Sequence, residues 1–138
     1  RFVPRKPAVQ LTEEARTFFK KLLDNAPRND IIGIMLNYDQ STTGEPRMVF
    51  TFKFATENDI DSELDEGVSL ELIEENDGQG HAIRRPKTPE ESENDGLPKL
   101  YVHHNGFLKV LGATLDVDQE TFAPILYDRE GNIMDPNA

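Results

Sequence analysis

The side chains best suited to chemistry fall in a few short stretches. His103 and His104 are adjacent, and imidazole nitrogens both bind metals and carry protons near neutral pH. Neighbouring residues on a strand point to opposite faces, so one ion reaches both rings only where the backbone bends. The pair therefore reads first as two partly exposed histidines at a strand end, with His103 and His104 kept as metal candidates. Asp59, Asp61, Glu63, Asp65 and Glu66 form an acidic run of oxygen donors. They lack the D-x-[DN]-x-[DN]-G spacing and the closing bidentate glutamate of a calcium loop, and a solvated acidic connection is expected. Asp116 and Asp118 flank Val117 and have the right chemistry for an acid–base pair, but are read as structural. Arg84, Arg85 and Lys87, in "QGHAIRRPK", make the one internal basic cluster and a candidate docking segment for an acidic partner surface. No specific role is expected of His81 in the same stretch.

Several chemistries are excluded by what the sequence lacks. It has no cysteine, so the chain alone forms no disulfide, zinc ribbon, thiolate nucleophile or thiolate-held iron–sulfur cluster. No Ser-His-Asp order, glycine-rich phosphate loop or nucleotide motif is present. The expectation is a protein that is not an enzyme, with no catalytic residue and no bound cofactor.

The elements that must position these residues can be read from periodicity. A length of 138 residues, 36% hydrophobic and 30% charged, suits one globular domain with a polar segment. "LTEEARTFFKKLLDNAP" predicts a helix: Thr12 is a suitable N-cap, Glu13 and Glu14 sit in the first turn, and Pro27 stops it. Ala15, Phe18, Phe19, Leu22 and Leu23 recur on one face, so the phenylalanines are core. "IIGIMLNY" (31–38) is a nearly continuous apolar run, read as a buried strand, and "MVFTFKF" (48–54) alternates. Together they predict an antiparallel pair joined by "NYDQSTTGEPR". "VSLELI" (68–73) reads as one further strand. Residues 74–98, rich in Gly, Pro and charge, are expected to be a flexible insertion. Order resumes with a strand at 100–102, a short helix at 105–111, a strand at 113–117 and a closing hairpin with its turn at Glu130-Gly131.

In this order the segments resemble the A-type iron–sulfur carriers, the HesB/IscA-like family. The residues that carry the resemblance are "LTEEARTFFKKLL", "IIGIMLNYDQSTTGEPRMVFTFKF", "FLKVLGATLDVD" and "NIMDPNA", of which "LGATLD" (Leu111–Asp116) is the most specific. The resemblance implies an α+β fold, a compact β-sandwich of mostly antiparallel or mixed strands with an N-terminal helix and one short helix. The HesB-like domain would span 11–138, preceded by an extended basic arm at 1–10. Family members hold iron or a cluster through three cysteines, one in the loop between the first long strands and two just past an Asn-Pro-Asn. Counted forward from Gly33, the loop cysteine's Cys-Ser-Gly falls on Thr42-Thr43-Gly44; counted backward from Met48 it falls nearer Glu45. Neither count finds a thiol, so Thr42, Thr43 and Gly44 mark a vestigial cluster loop.

These readings set the functional expectations. A net charge of −11 repels phosphate backbones and anionic lipid, so direct nucleic-acid contact is expected only through the basic arm, with Arg1, Arg5 and Lys6. No membrane insertion is expected, since no apolar run approaches the roughly 20 residues a spanning helix needs. The leading expectation is a structural, protein-binding subunit of a larger organellar complex, such as a respiratory complex or the mitochondrial ribosome. A first residue of Arg1 fits removal of a targeting peptide, and the mitochondrial matrix side is expected, with a plastid as the alternative. A second expectation is an accessory factor in iron–sulfur cluster assembly, acting with a cysteine-bearing HesB-like homologue. A third is a metal-binding protein using histidine and carboxylate.

Overall fold

The computed structural model describes residues 6–138. Arg1, Arg5 and the beginning of the basic arm lie outside the described residues; Lys6 is exposed. Gln10–Leu11 forms a two-residue strand, β1, leading into helix α1, Glu13–Asp24. Thr12 caps the helix as its sequence predicts, its hydroxyl oxygen accepting the Ala15 N–H at 3.1 Å. The same hydroxyl donates to Asp116 Oδ1 at 2.8 Å, tying the helix start to a strand 104 residues away. Phe19 is fully buried, and its ring packs 5.7 Å from that of Phe52. The helix ends at Asp24, where the Asn25 N–H bonds back to Lys21 and Leu22 carbonyls, before Pro27 is reached.

Strands β2, Ile31–Gln40, and β3, Met48–Thr56, pair antiparallel as expected, with Leu36 opposite Phe52 and Tyr38 opposite Phe50. The "VSLELI" run is not one strand. It divides into β4, Glu66–Ser69, and β5, Leu72–Asn76, which belong to different sheets. The division has a cause in Arg16, whose buried guanidinium donates to the carbonyls of Ser69 and Glu71 at 2.8 and 3.3 Å. The guanidinium thus holds the carbonyls on either side of Leu70, the Glu71 carbonyl being shared with the Lys87 N–H at 3.4 Å.

Residues 74–98 have more regular structure than a flexible insertion implies. β5 pairs antiparallel with β6, Ala82–Pro86, and Thr88 caps a short helix, α2, Pro89–Ser92. The charges that read as solvated instead cross-link the segment. Arg85 binds Glu75 and, through two nitrogens, Glu91 at 2.6 and 2.7 Å. Lys87 and Lys99 both bind Asp95. The short helix α2 is additional to the two helices expected.

The remaining elements follow their sequence: β7, Lys99–Val102; a 3₁₀ turn, His104–Gly106, running into α3, Phe107–Val110; β8, Thr114–Val117; and β9, Pro124–Tyr127. The closing hairpin is reduced to one bridge, Tyr127 with Ile133, flanked by the Asp128 N–H bond to the Asn132 carbonyl and the Met134 N–H bond to the Leu126 carbonyl, while β9 pairs with β8 on its other edge. The sheets are β1-β8-β9, with β1 parallel to β8, and β3-β2-β7-β4, with β2 parallel to β7. One core lies between them: Ile34, Leu36, Leu100 and Val102 from the larger sheet meet Leu115, Val117 and Leu126 from the smaller, with Ala15 and Phe19 from α1. The fold is the expected α+β sandwich. Among the described residues no helix is long and apolar enough to cross a membrane.

Candidate functional site

Two places in the fold bear on function, and the sequence singled out residues in both. The first is the connection of β2 to β3. Ser41 N–H donates to the Arg47 carbonyl at 2.7 Å, closing the loop, and Gly44 turns it with φ of +86°, which glycine adopts without steric cost. Thr42, Thr43 and Gly44 are exposed. The hydroxyls of Ser41 and Thr43 bond each other at 2.8 Å.

Tertiary structure brings this loop beside the end of the described chain. Asn137 clamps the start of β3, its Oδ1 accepting the Met48 N–H at 2.8 Å and its Nδ2 donating to the Met48 carbonyl at 3.1 Å. Tyr38, the last large residue before the loop, donates its hydroxyl to the Pro136 carbonyl. The Asp135-Pro136-Asn137 turn thus packs against the strand residues on either side of the loop. The donors present do not fit an iron–sulfur cluster. Hydroxyls stay protonated at neutral pH, amides are weak and hard donors, and both kinds of group are already bonded within the chain.

The second place is at the opposite end of β2 and β7's shared ladder from Gly33 and Lys99. β7 ends at Val102; His103 is still extended (φ −64°, ψ 140°), and the backbone bends in the 3₁₀ turn that begins at His104. The bend overturns the opposite-faces expectation: the His103 and His104 rings stack, with centroids 4.1 Å apart and planes 29° from parallel. Asp65 joins them. β4 runs antiparallel to β7 with Glu66 opposite Val102, so the residue before one strand lies beside the residues after the other. Asp65 Oδ1 accepts the His104 backbone N–H at 2.9 Å and lies 2.8 Å from His104 Nδ1.

The acidic run divides accordingly. Asp59 accepts from Thr56 and Asp61 from the N–H groups of Glu63 and Leu64, ordinary local caps on the exposed side. Asp65 and Glu66, expected to be solvated, are both buried, and Glu66 Oε2 accepts the Ala8 N–H at 2.7 Å. Burial alone would raise the Asp65 carboxyl pKa. The Asp61 N–H, the His104 ring and the His104 N–H outweigh it, and the pKa lies below the ordinary aspartate value. Sequence spacing had no means of finding Asp65 as the histidines' partner, since 39 positions separate it from His104.

The other predicted residues do not assemble into a centre. Asp116 bonds Thr12 and the Val117 N–H, and Asp118 caps Glu120, so each has a structural role. Of the candidate docking residues, Arg84 binds Glu13 at 3.0 Å, while Arg85 and Lys87 hold the cross-links described above. His81 lies 3.3 Å from Asp77 at the tip of the β5–β6 hairpin.

No protein-family model matches the chain, and no curated protein matches it. Among solved structures, the chain is similar to a crystal structure of Escherichia coli SufA, a protein involved in biosynthesis of iron–sulfur clusters. The likeness covers 99% of this chain and 92% of that one, at 18% identity and a TM-score of 0.49.

Proposed function

We propose that this chain is a non-catalytic binding subunit, a HesB-like domain without cluster chemistry that works within a larger protein assembly. The observation that carries the reading is the contact of the 135–137 turn with Tyr38 and Met48, on either side of the 41–47 loop. The loop that would supply the first cluster ligand lies between these two contacts, and the loop and the turn offer amides and hydroxyls bonded within the chain and no soft donor. The outer surface supports binding. Leu108, Ile133 and Phe122 are 85%, 69% and 65% exposed and are the apolar side chains a partner could cover. Phe122 also sits at φ of +55°, a strained conformation for an aromatic residue.

The setting proposed is an organellar complex on the mitochondrial matrix side, such as a respiratory complex or the mitochondrial ribosome, with a plastid as the alternative. Arg1, Arg5 and Lys6 are the candidate contacts for an acidic partner or for nucleic acid. Arg84, Arg85 and Lys87 would serve only by exchanging their present carboxylate partners. The test is native isolation under mild conditions with size and mass analysis. A stable heteromeric complex is expected; recovery solely as the free 15.6 kDa chain overturns the reading.

A second reading is an accessory role in iron–sulfur assembly beside a cysteine-bearing homologue. The contacts of the C-terminal turn with Tyr38 and Met48 favour it, because they hold the ends of the 41–47 loop near the turn after which the family this chain resembles carries its remaining ligands. Co-purification of such a homologue with the native protein is the expected result, and its absence from a pull-down removes this reading.

A further inference from the structure

We propose that Asp65, His103 and His104 form a binding site for a divalent transition-metal cation of the imidazole-preferring class, with Zn2+ as the representative ion. Each of the three residues offers one donor atom, and these atoms lie within 4.8 Å of one another. Zinc at bonds of about 2.0–2.1 Å places tetrahedral donors about 3.3 Å apart. Closing the present triangle therefore takes about 1.5 Å of side-chain movement at its widest, the difference between those two separations. The His104 side chain is 44% exposed, so it has room to turn, while Asp65 is held by the N–H groups of Asp61 and His104.

The hydrogen bonds prepare the rings as ligands. In the metal-free chain the 2.8 Å contact between Asp65 Oδ1 and His104 Nδ1 is a hydrogen bond; a cation takes the place of its proton, so that Oδ1 and Nδ1 face the same ion and the ring keeps its proton on Nε2. His103 Nδ1 lies 2.7 Å from Asn105 Oδ1, whose identity is set by Asn105 Nδ2 donating to the Tyr38 carbonyl at 2.9 Å. The Asn105 N–H also approaches His103 Nδ1, at 3.2 Å, and competes for the opposite tautomer. The shorter contact favours a proton on Nδ1, and a metal on Nε2 would select that form. The Asn105 side-chain carbonyl behind the His103 ring is the kind of partner that orients a ligating imidazole and raises its basicity.

Charge favours the same occupant. Asp59, Asp61 and Glu63 line the open basin that also contains Asp65, His103 and His104. A cation entering it meets a negative field, and the long-range attraction needs no direct ligation by the outer carboxylates. Two imidazoles with one carboxylate suit zinc, nickel or copper; calcium and magnesium favour oxygen donors throughout. Open positions on the ion would remain for water or for a donor from a partner protein.

The experiment is calorimetric titration of chelator-stripped protein with Zn2+, repeated with Ca2+, alongside proton NMR of the histidine rings. The chain has three histidines, and His81 at the hairpin tip is an internal control. One equivalent of Zn2+ should bind, with His103 and His104 resonances shifting and His81 unmoved. His103→Gln with His104→Gln should abolish that binding, since the His104 backbone bond to Asp65 survives the exchange. Asp65→Asn should weaken it about tenfold or more. No Zn2+ binding, Ca2+ binding of equal strength, or undiminished Zn2+ binding by the double variant overturns the site. Should the double variant fold poorly, the wild-type ring shifts decide alone: shifts confined to His81, or none, also overturn it.

Discussion

Asp65 Oδ1 receives two hydrogen-bonding groups of one residue, the backbone N–H of His104 at 2.9 Å and its ring Nδ1 at 2.8 Å. The contact joins the acidic connection before β4 to the turn after β7, two places that the β4–β7 ladder has already brought side by side. Asp65→Ala is expected to cost about 2–3 kcal/mol in chemical denaturation, because three N–H groups lose a charged acceptor in a buried setting. A loss no larger than that of an exposed aspartate would contradict this role.

The cross-links of the 74–98 segment predict its acid response. Burial acts to raise the Asp95 pKa, but Lys87, the Leu97 N–H and Lys99 overcome it and hold the carboxyl at about 2. Arg85, followed by the Thr88 N–H, depresses Glu91 to about 2 as well. A carboxylate whose folded pKa is depressed stabilises the protein above its unfolded pKa, near 4, and the contribution disappears as pH falls toward 2. Thermal midpoints should therefore decline from about pH 4.5 to pH 2, and Asp95→Asn should flatten part of that decline. At neutral pH the same substitution should cost about 1 kcal/mol after allowance for solvent screening.

Gly106 decides where the histidine turn can lie. A Cβ at this position would stand 2.7 Å from Tyr38 Cβ, closer than carbon atoms pack. Gly106→Ala should destabilise by about 1–3 kcal/mol, as overpacking does. It should also weaken Zn2+ binding by displacing the turn that carries His104. Retained stability with retained Zn2+ affinity would show that the turn has slack.

Asn137 acts at the edge of the larger sheet as a neighbouring strand would, matching one N–H and one C=O of Met48. Asn137→Ala should cost about 1 kcal/mol and speed hydrogen exchange of the Met48 amide before that of Leu36. Leu36 lies in the core on the adjacent strand, so equal acceleration at both sites would mean global rather than edge loosening.

Phe122 makes a prediction of opposite sign. A left-handed conformation costs a non-glycine residue about 1–2 kcal/mol, and this ring is exposed. Phe122→Gly should leave the isolated chain as stable or more stable in denaturant while reducing recovery of its native complex. A destabilised monomer with unchanged complex recovery would assign the ring to the fold instead.

The sequence by itself determined the local elements. Thr12 capped the helix that followed it, Phe19 faced inward at helical spacing, and 31–40 paired with 48–56 around Gly44. Each is governed by residues a few positions apart, where periodicity and dihedral preference operate. The absence of cysteine likewise closed off thiolate chemistry before any geometry was known. Tertiary structure alone decided the rest. Buried Arg16 divided 68–73 between two sheets, and ion pairs at Arg85 and Asp95 ordered a segment whose composition reads as loop. The 3₁₀ turn beginning at His104 and the β4–β7 register set two stacked imidazoles beside Asp65. A carboxylate has the same letter in a sequence whether water or an imidazole surrounds it. Its role depends on which distant strand the fold lays next to it.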